Sequence, residues 1–285
     1  MTTADSGADR PEFGEPGTRR IGIMNARGLA TLYEKEVRRF LKVWMQTLGA
    51  PVVQAVLFFL IFAVVLGGSD RYAGGVAYTI FLAPGLIIMS VLQNAFQNTA
   101  SSLIIAKVQG TLVDILMPPL SPGEIVIGYV AGGVTRGLAI GLLLIAVFAV
   151  LPMDAIRISH PWAILWFGTM ASVMLSLIGM LTGIWAEKFD HVATVTNFVI
   201  GPLTLLSGTF YSIDRLRERI GTDSVWLETS LTLNPFFHII DGFRYGFIGT
   251  ADGTIVTGAL LLLAINVALW ILVWRLLRAG WRIKA

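Results

Sequence analysis

Residues 125–151 read IVIGYVAGGVTRGLAIGLLLIAVFAVL, an apolar run broken by one charge, Arg136. A helix needs roughly 20 mostly apolar residues to cross the hydrocarbon layer of a bilayer, and this run exceeds that length. Five further windows qualify, at about 51–66, 76–98, 162–185, 192–211 and 255–277. Over all 285 residues, 55% are apolar and 14% charged, where an ordinary soluble domain carries about 25% charged. A soluble fold of this size cannot clothe its surface with so few charges. The expected fold class is all-α integral membrane, with six transmembrane helices. Trp162, Trp166, Trp185, Trp270 and Trp274 fall near the expected ends of spans, where aromatic rings settle at the headgroup level.

The flanks carry the charge that the spans lack. Residues 1–23 begin MTTADSGADRPEFGEPGTRR and are expected to form a disordered cytoplasmic tail, with no apolar core to suggest a signal peptide. Between residues 24 and 44, Leu29, Leu32, Tyr33, Val37, Phe40, Leu41 and Trp44 recur at helical spacing among Arg27, Lys35, Arg38, Arg39 and Lys42. This pattern predicts a basic amphipathic helix lying in the headgroup region, in contact with membrane lipid. Six spans divide the 21 Lys and Arg into 14 on the side of both termini, 6 on the other side and Arg136 within span three. Positive residues stay inside, so both termini are expected in the cytoplasm. Basic residues in such a chain record topology, and no nucleic-acid partner is expected.

Two connections are unusual. The inside segment 100–124, ASSLIIAKVQGTLVDILMPPLSPGE, predicts a short amphipathic helix on Leu112, Ile115, Leu116 and Leu120, stopped by Pro118–Pro119. The outside segment 212–253 is long for a structureless loop. Ser212 and Asp214 offer caps for a short charged helix there. LNPFFHIIDGFRYGFIG at 233–249 reads as a further apolar segment, too short to span. Pro84–Gly85 marks a kink in span two, and Gly201–Pro202 with Ser207–Gly208 marks a bend or break in span five.

Catalytic motifs are missing. Cysteine is absent, which removes disulfides, thiolate metal sites and Cys nucleophiles. No GxxxxGK[ST] stretch exists to cradle a nucleotide's phosphates, no HExxH occurs, and His160, His191 and His238 are far apart. No metal site is expected. Inside the spans, Arg136 is costly, at about 2.5–3.5 kcal/mol for a central arginine, and must face protein or water. It either contacts an anionic substrate group or gate, or it is held structurally by a carbonyl or carboxylate. Gly128/Gly132, Gly133/Gly137/Gly141 and Gly179/Gly183 repeat at four residues, for close packing within the protomer or across a dimer. Gln93, Asn94, Gln97 and Asn98 end span two and Asn197 sits in span five; the amides either line an aqueous path or bond helix ends.

The ordered set of a basic helix before span one, GTLVDILMPPLSPGE, GYVAGGVTRG, GPLTLLSGTFYSIDRL and LNPFFHIIDGFRYGFIG resembles the permease subunit of ABC-2-type exporters, closest to bacterial drug-export-like members. The resemblance covers about residues 24–282, the expected permease domain. It implies a homodimer in the bacterial inner membrane, paired with two copies of a separate ABC ATPase subunit. ATP and Mg would sit on that partner, with no cofactor and no enzymatic activity on this chain. It implies that Gly110, Thr111, Leu112, Asp114, Leu116 and Pro118 form a cytoplasmic coupling helix, joined by Glu34 and Arg38 of the interfacial helix. Gln93, Asn94, Gln97, Arg136 and Asn197 would then belong to the substrate path or gate. Asn234, Pro235, Asp241 and Arg244 would sit in re-entrant outer helices before the last span.

The resemblance implies outward movement of a hydrophobic or amphipathic substrate, drug-like or lipid-like. An exporter of polysaccharide or glycolipid is the same machine with a wider path. An ion-coupled secondary transporter would want midplane carboxylates, whereas Asp114, Glu124, Glu187 and Asp190 all sit in or at inside loops. A membrane scaffold without transport is the remaining reading.

Overall fold

The computed structural model describes residues 24–66, 72–73, 76–151, 155–210 and 234–281. The regular elements of the described residues are helices except for two strands of two residues each, β1 (Tyr72–Ala73) paired antiparallel with β2 (Val76–Ala77). Helix α1 (Ala26–Leu41) leads through a π-helical turn (Met45–Gly49) into α2 (Ala50–Leu66). After the hairpin come α3 (Tyr78–Val108), the short α4 (Leu112–Leu116), α5 (Pro122–Val150) and α6 (Pro161–Trp185). Then α7 (Phe189–Val195), a π-helical turn (Thr196–Ile200) and α8 (Gly201–Leu206) form one interrupted rod. Helices α9 (Pro235–Ile248) and α10 (Ile255–Ala279) complete the described chain. Six stretches are long and apolar enough to cross a bilayer: Met45–Val64, Tyr78–Val108, Pro122–Val150, Pro161–Trp185, Phe189–Leu206 and Ile255–Ala279. The protein is an all-α integral membrane protein.

Helix α3 is the hub, packed on α2, α5, α6 and α9. Expected to end near Asn98, it runs on to Val108. Its 31 residues span about 46 Å, well beyond the ~30 Å hydrocarbon layer. The continuation Thr99–Val108 stays helical because its polar groups are satisfied at close quarters. Thr99 Oγ1 donates to Ser176 O at 2.8 Å, and Lys107 Nζ donates to the carbonyls of Ile184 and Ala186 at the end of α6. Pro84 lies inside α3 without ending it. Gly85 beside it lets the chain after α8 approach, since a Cβ there would stand 2.7 Å from Thr209 O.

The glycine repeats are used within the protomer. Gly128 and Gly132 on α5 face α1, where added Cβ atoms would come 2.6 Å from Leu32 Cδ2 and 2.6 Å from Glu36 Cβ. Gly137 and Gly141, a neighbouring stripe of α5, meet α6 and α3 at Ser172 Oγ (2.8 Å) and Val91 Cγ2 (2.9 Å). On α6, Gly179 closes on α3, where a Cβ would lie 2.5 Å from Phe96 O. Small residues at four-residue spacing allow such backbone approach.

Span five is interrupted, as its glycines and Pro202 suggest, but the irregular turn lies just before them at Thr196–Ile200. Pro202 cannot donate to the preceding turn, and the extra residue of a π turn absorbs the mismatch. The helix expected from caps at Ser212 and Asp214 lies outside the described residues. Much of α2, α7–α8 and α10 remains exposed, with Val64, Phe198 and Leu260 on open apolar faces.

Candidate functional site

Two groups of candidate residues sit at opposite ends of α3, and a third lies between them. At the Val108 end, Gly110 turns the chain with φ +72°, a conformation that glycine adopts without penalty. Helix α4 follows, with Thr111 as an N-cap whose side chain makes no capping bond. Ile115 is buried and Leu112 half-buried, while Asp114, Leu116, Met117 and Pro118 are exposed. The sequence pattern sets Leu116 on the apolar inner face together with Leu112 and Ile115. Ile115 turns inward with Leu112 beside it, while Leu116, the last residue of the one-turn helix, is left 39% exposed at its end. Val113, Leu116 and Met117 form an exposed apolar edge.

This end is tied to α1 by a carboxylate. Ser121 and Glu124 form a reciprocal capping box at the start of α5, with Ser121 N donating to Glu124 Oε2 at 2.6 Å. The other oxygen of Glu124 accepts from Asn25 N, and Asn25 Oδ1 caps α1 by accepting from Gly28 N at 3.0 Å. Asn25 Nδ2 also reaches Pro119 O at 3.3 Å. A groove between the two helices is lined by Leu32 and Lys35 of α1 and by Thr111, Asp114 and Pro118. Glu34 and Arg38 form an exposed i,i+4 pair at 2.5 Å on α1.

The sequence pattern predicts that α1 lies in the headgroup region on an apolar stripe. In the structure it packs lengthwise on the first half of α5, in parallel register: Leu32 meets Gly128 and Glu36 meets Gly132. Its buried residues are Leu32, Glu36 and Phe40, whereas Tyr33, Leu41 and Trp44 stay exposed. Glu36 does not stand out in the sequence, although a carboxylate four residues after Leu32 and four before Phe40 is the visible signal. Its side chain is fully buried. Ser102 Oγ donates to Glu36 Oε1 at 2.7 Å, and Arg39 Nη2 lies 3.3 Å from Oε2. Arg39 also donates to Asn98 Oδ1 at 3.0 Å, to Asn98 O at 2.6 Å and to Ser101 Oγ at 3.1 Å. A charged network therefore bolts α1 to α3 beside α5.

The four amides of α3 split into two pairs, as positions one and five of a helix must. Asn94 and Asn98 are buried toward α5 and α1. Arg136, the middle residue of α5, is 9% exposed and donates to Asn94 Oδ1 from Nε (3.2 Å) and Nη2 (2.9 Å). Its partner is thus a side-chain amide rather than a carboxylate or a helix-end carbonyl. Gln93 and Gln97 are half-buried on the other side, and Gln97 Nε2 reaches Thr196 Oγ1 at 3.4 Å in span five. Asn197, next in that π turn, is exposed.

At the other end of α3, Asn234 caps α9 by accepting from Phe236 N at 3.0 Å and donates to Ser207 Oγ at 2.8 Å. Pro235 occupies the first helical position, where its missing N–H costs nothing. Asp241 is buried and accepts from the N–H groups of Asp252 (2.8 Å) and Gly253 (2.9 Å), fastening the turn into α10. Burial pushes its carboxyl above the usual range, opposed by those two donors. Arg244 donates to Gly208 O at 2.7 Å and lies 3.7 Å from the Phe81 ring centroid.

The family model described as ABC-2 type transporter matches residues 27–248. The inner membrane transport permease YadH of Escherichia coli (strain K12) is 38% identical over 254 residues, covering 88% of this chain and 95% of that protein. Nodulation protein J of Neorhizobium galegae is 28% identical over 204 residues, 69% of this chain and 73% of that one. The probable multidrug ABC transporter permease YbhR of E. coli K12 is 27% identical over 198 residues, 66% of this chain and 49% of its own length. With six apolar helices and a matching family model over most of its length, the chain belongs to the ABC-2 type transporter family, as the membrane-spanning permease component of such a transporter.

Proposed function

We propose that this chain is the permease subunit of an ATP-driven exporter in the bacterial inner membrane. It works as a homodimer with two copies of a separate ABC ATPase and moves a hydrophobic or amphipathic substrate outward. The observation that carries this reading is the α1–α4 end. Exposed Val113, Leu116 and Met117 form an apolar edge with exposed Asp114 on α4, across a groove from Leu32 and Lys35 of α1. Glu124 ties the start of α5 to Asn25 at the start of α1, and Glu34 and Arg38 are exposed farther along α1. A soluble motor gripping α4 would move α5 and α1 with it. The Lys and Arg distribution puts this end, with both termini, in the cytoplasm. ATP and Mg bind on the partner.

In this reading, ATP closes the two motors and α4 moves with them. The Gln93–Gln97 face of α3 and the interrupted fifth span then rearrange along the dimer axis, where Asn197 is exposed. The π turn supplies the weak point for that movement. Substrate must bind the inward and outward states with different free energies. Helix α9, with Asn234, Asp241 and Arg244 bonded at its ends, acts as a re-entrant cap at the exit.

The test is purification of the tagged protein in mild detergent, followed by analysis of co-purifying subunits and ATPase activity. A stoichiometric partner carrying a phosphate-binding loop is the expected result. A homo-oligomer without ATPase, or export that survives deletion of the partner, would overturn the proposal.

A further inference from the structure

Arg136 is buried and hydrogen-bonded, but its charge is not neutralised. Among the described residues the ion pairs are Arg38–Glu34 and Arg39–Glu36, and neither involves Arg136. Asn94 supplies a dipole where a carboxylate would supply a charge. A buried guanidinium in that condition is expensive unless something anionic reaches it.

A route to it exists. A cleft of about 670 Å³ lies between α1 and the α3–α5 pair, and Arg136 forms part of its wall. Lys35, Arg38, Arg39 and Lys42 line the same cleft, against a single lining carboxylate, Glu34. Glu34 is taken by Arg38, and Glu36, behind the wall, is taken by Arg39. Lys35, Lys42 and Arg136 therefore carry positive charge with no ion-pair partner among the described residues.

The remaining wall is mostly apolar, with Phe40, Val43 and Ile105 beside the hydroxyls of Thr31 and Thr47. One residue beyond Val43, at Trp44, an apolar groove of about 680 Å³ begins and continues along α2 to Ile61. Lys35 and Lys42 precede the first span, which starts at Met45, whereas Arg136 is the middle residue of the span Pro122–Val150. The cleft therefore joins cations at the headgroup side to a guanidinium within the span, and the apolar groove along α2 begins beside it.

We propose that this cleft binds the phosphate group of an anionic amphiphile, with Lys35 and Lys42 at its mouth, Arg136 at its inner end and the apolar tail along α2. Charge-assisted bonds from guanidinium and ammonium to phosphate oxygens are short and strong, and Arg136 can give up part of its bond to Asn94 in exchange. Together with the exporter reading, on which this further step rests, the cleft names the substrate class as a phosphate-headed amphiphile.

The test is binding of dioleoylphosphatidic acid to the purified full chain in phosphatidylcholine nanodiscs, with inorganic pyrophosphate as a soluble probe. Lys35→Gln with Lys42→Gln is expected to weaken phosphatidic acid binding about tenfold or more. Arg136→Gln is expected to do the same. Arg275→Gln with Arg278→Gln, which removes equal charge from α10, leaves binding unchanged. Equal loss in that control, or unchanged binding in the Lys35/Lys42 variant, would overturn the proposal. If pyrophosphate alone binds with the same dependence on the three cations, the phosphate chemistry holds and its source is a soluble anion. Both lysines are exposed, so their variant reports binding even if Arg136→Gln fails to fold. No ATPase is needed, so failure here leaves the permease reading standing, and failure to find an ATPase leaves the cleft standing.

Discussion

Glu36 of α1 rests directly against Gly132 of α5, so closely that a methyl group on the glycine would lie 2.6 Å from Glu36 Cβ. The atom in the way is at the root of the side chain and cannot swing aside. Gly132→Ala is expected to destabilise the protein by about 1–3 kcal/mol, despite the better helix propensity of alanine. Gly123→Ala, on the same helix with open space around it, is expected to be neutral. Thermal unfolding of both variants in detergent checks the contrast.

Removing Arg39 strands the buried carboxylate of Glu36 with Ser102 as its remaining donor. Arg39→Ala is expected to cost about 3 kcal/mol, the low end for a broken buried pair because Arg39 is partly exposed. Glu36→Gln keeps an acceptor for Ser102 and loses the charge, so it should cost less. The reverse order of thermal stabilities would show that the pair does not hold α1 in place.

On α4, Leu116→Asp and Asp114→Lys alter exposed side chains only. Membrane insertion and thermal stability are expected to be unchanged, while co-purification of the ATPase falls about tenfold, as for loss of one good interface contact. Unchanged assembly and transport in both variants would remove α4 from the contact.

Asn94→Asp would replace the amide facing Arg136 with a carboxylate. The thermal midpoint is expected to hold or rise, and phosphatidic acid binding to fall about tenfold, because the guanidinium is then already neutralised. Arg136→Ala, by contrast, is expected to lower stability before it changes substrate profile. Measuring both properties on the same preparation separates the two effects.

Arg244→Leu leaves the carbonyl of Gly208 without its donor and removes the cation over Phe81. A loss of about 2–3 kcal/mol is expected, the scale of a hydrogen bond to a charged group. Arg244→Lys should recover part of it.

The six spans are legible in the sequence because an unbroken apolar run of that length suits little besides a bilayer. The extension of α3 past Asn98 is not, because Thr99, Ser101, Ser102 and Lys107 look like loop residues until their partners on α1 and α6 are in place. The glycine repeats signal that close packing occurs, but spacing alone cannot say against what; α1, α3 and α6 of the same chain supply the answer. Arg136 stands out as the charge in an apolar run, whereas Glu36 is masked by the basic residues around it. Asp241 and Arg244 fall in the expected segment, but their bonds to the turn before α10 and to the carbonyl of Gly208 depend on long-range contacts that no local pattern encodes.

The register between α1 and α5 also imposes an order on biogenesis. Residues 36 and 132 meet face to face, yet the ribosome adds the chain between them at about 5–20 residues per second. For about 5–20 s at that rate, α1 has left the ribosome with no α5 to receive it. A nascent chain arrested before Gly132 would hold Glu36 in the headgroup layer, open to water-soluble carboxylate reagents, and release past that point would close the site as α1 docks.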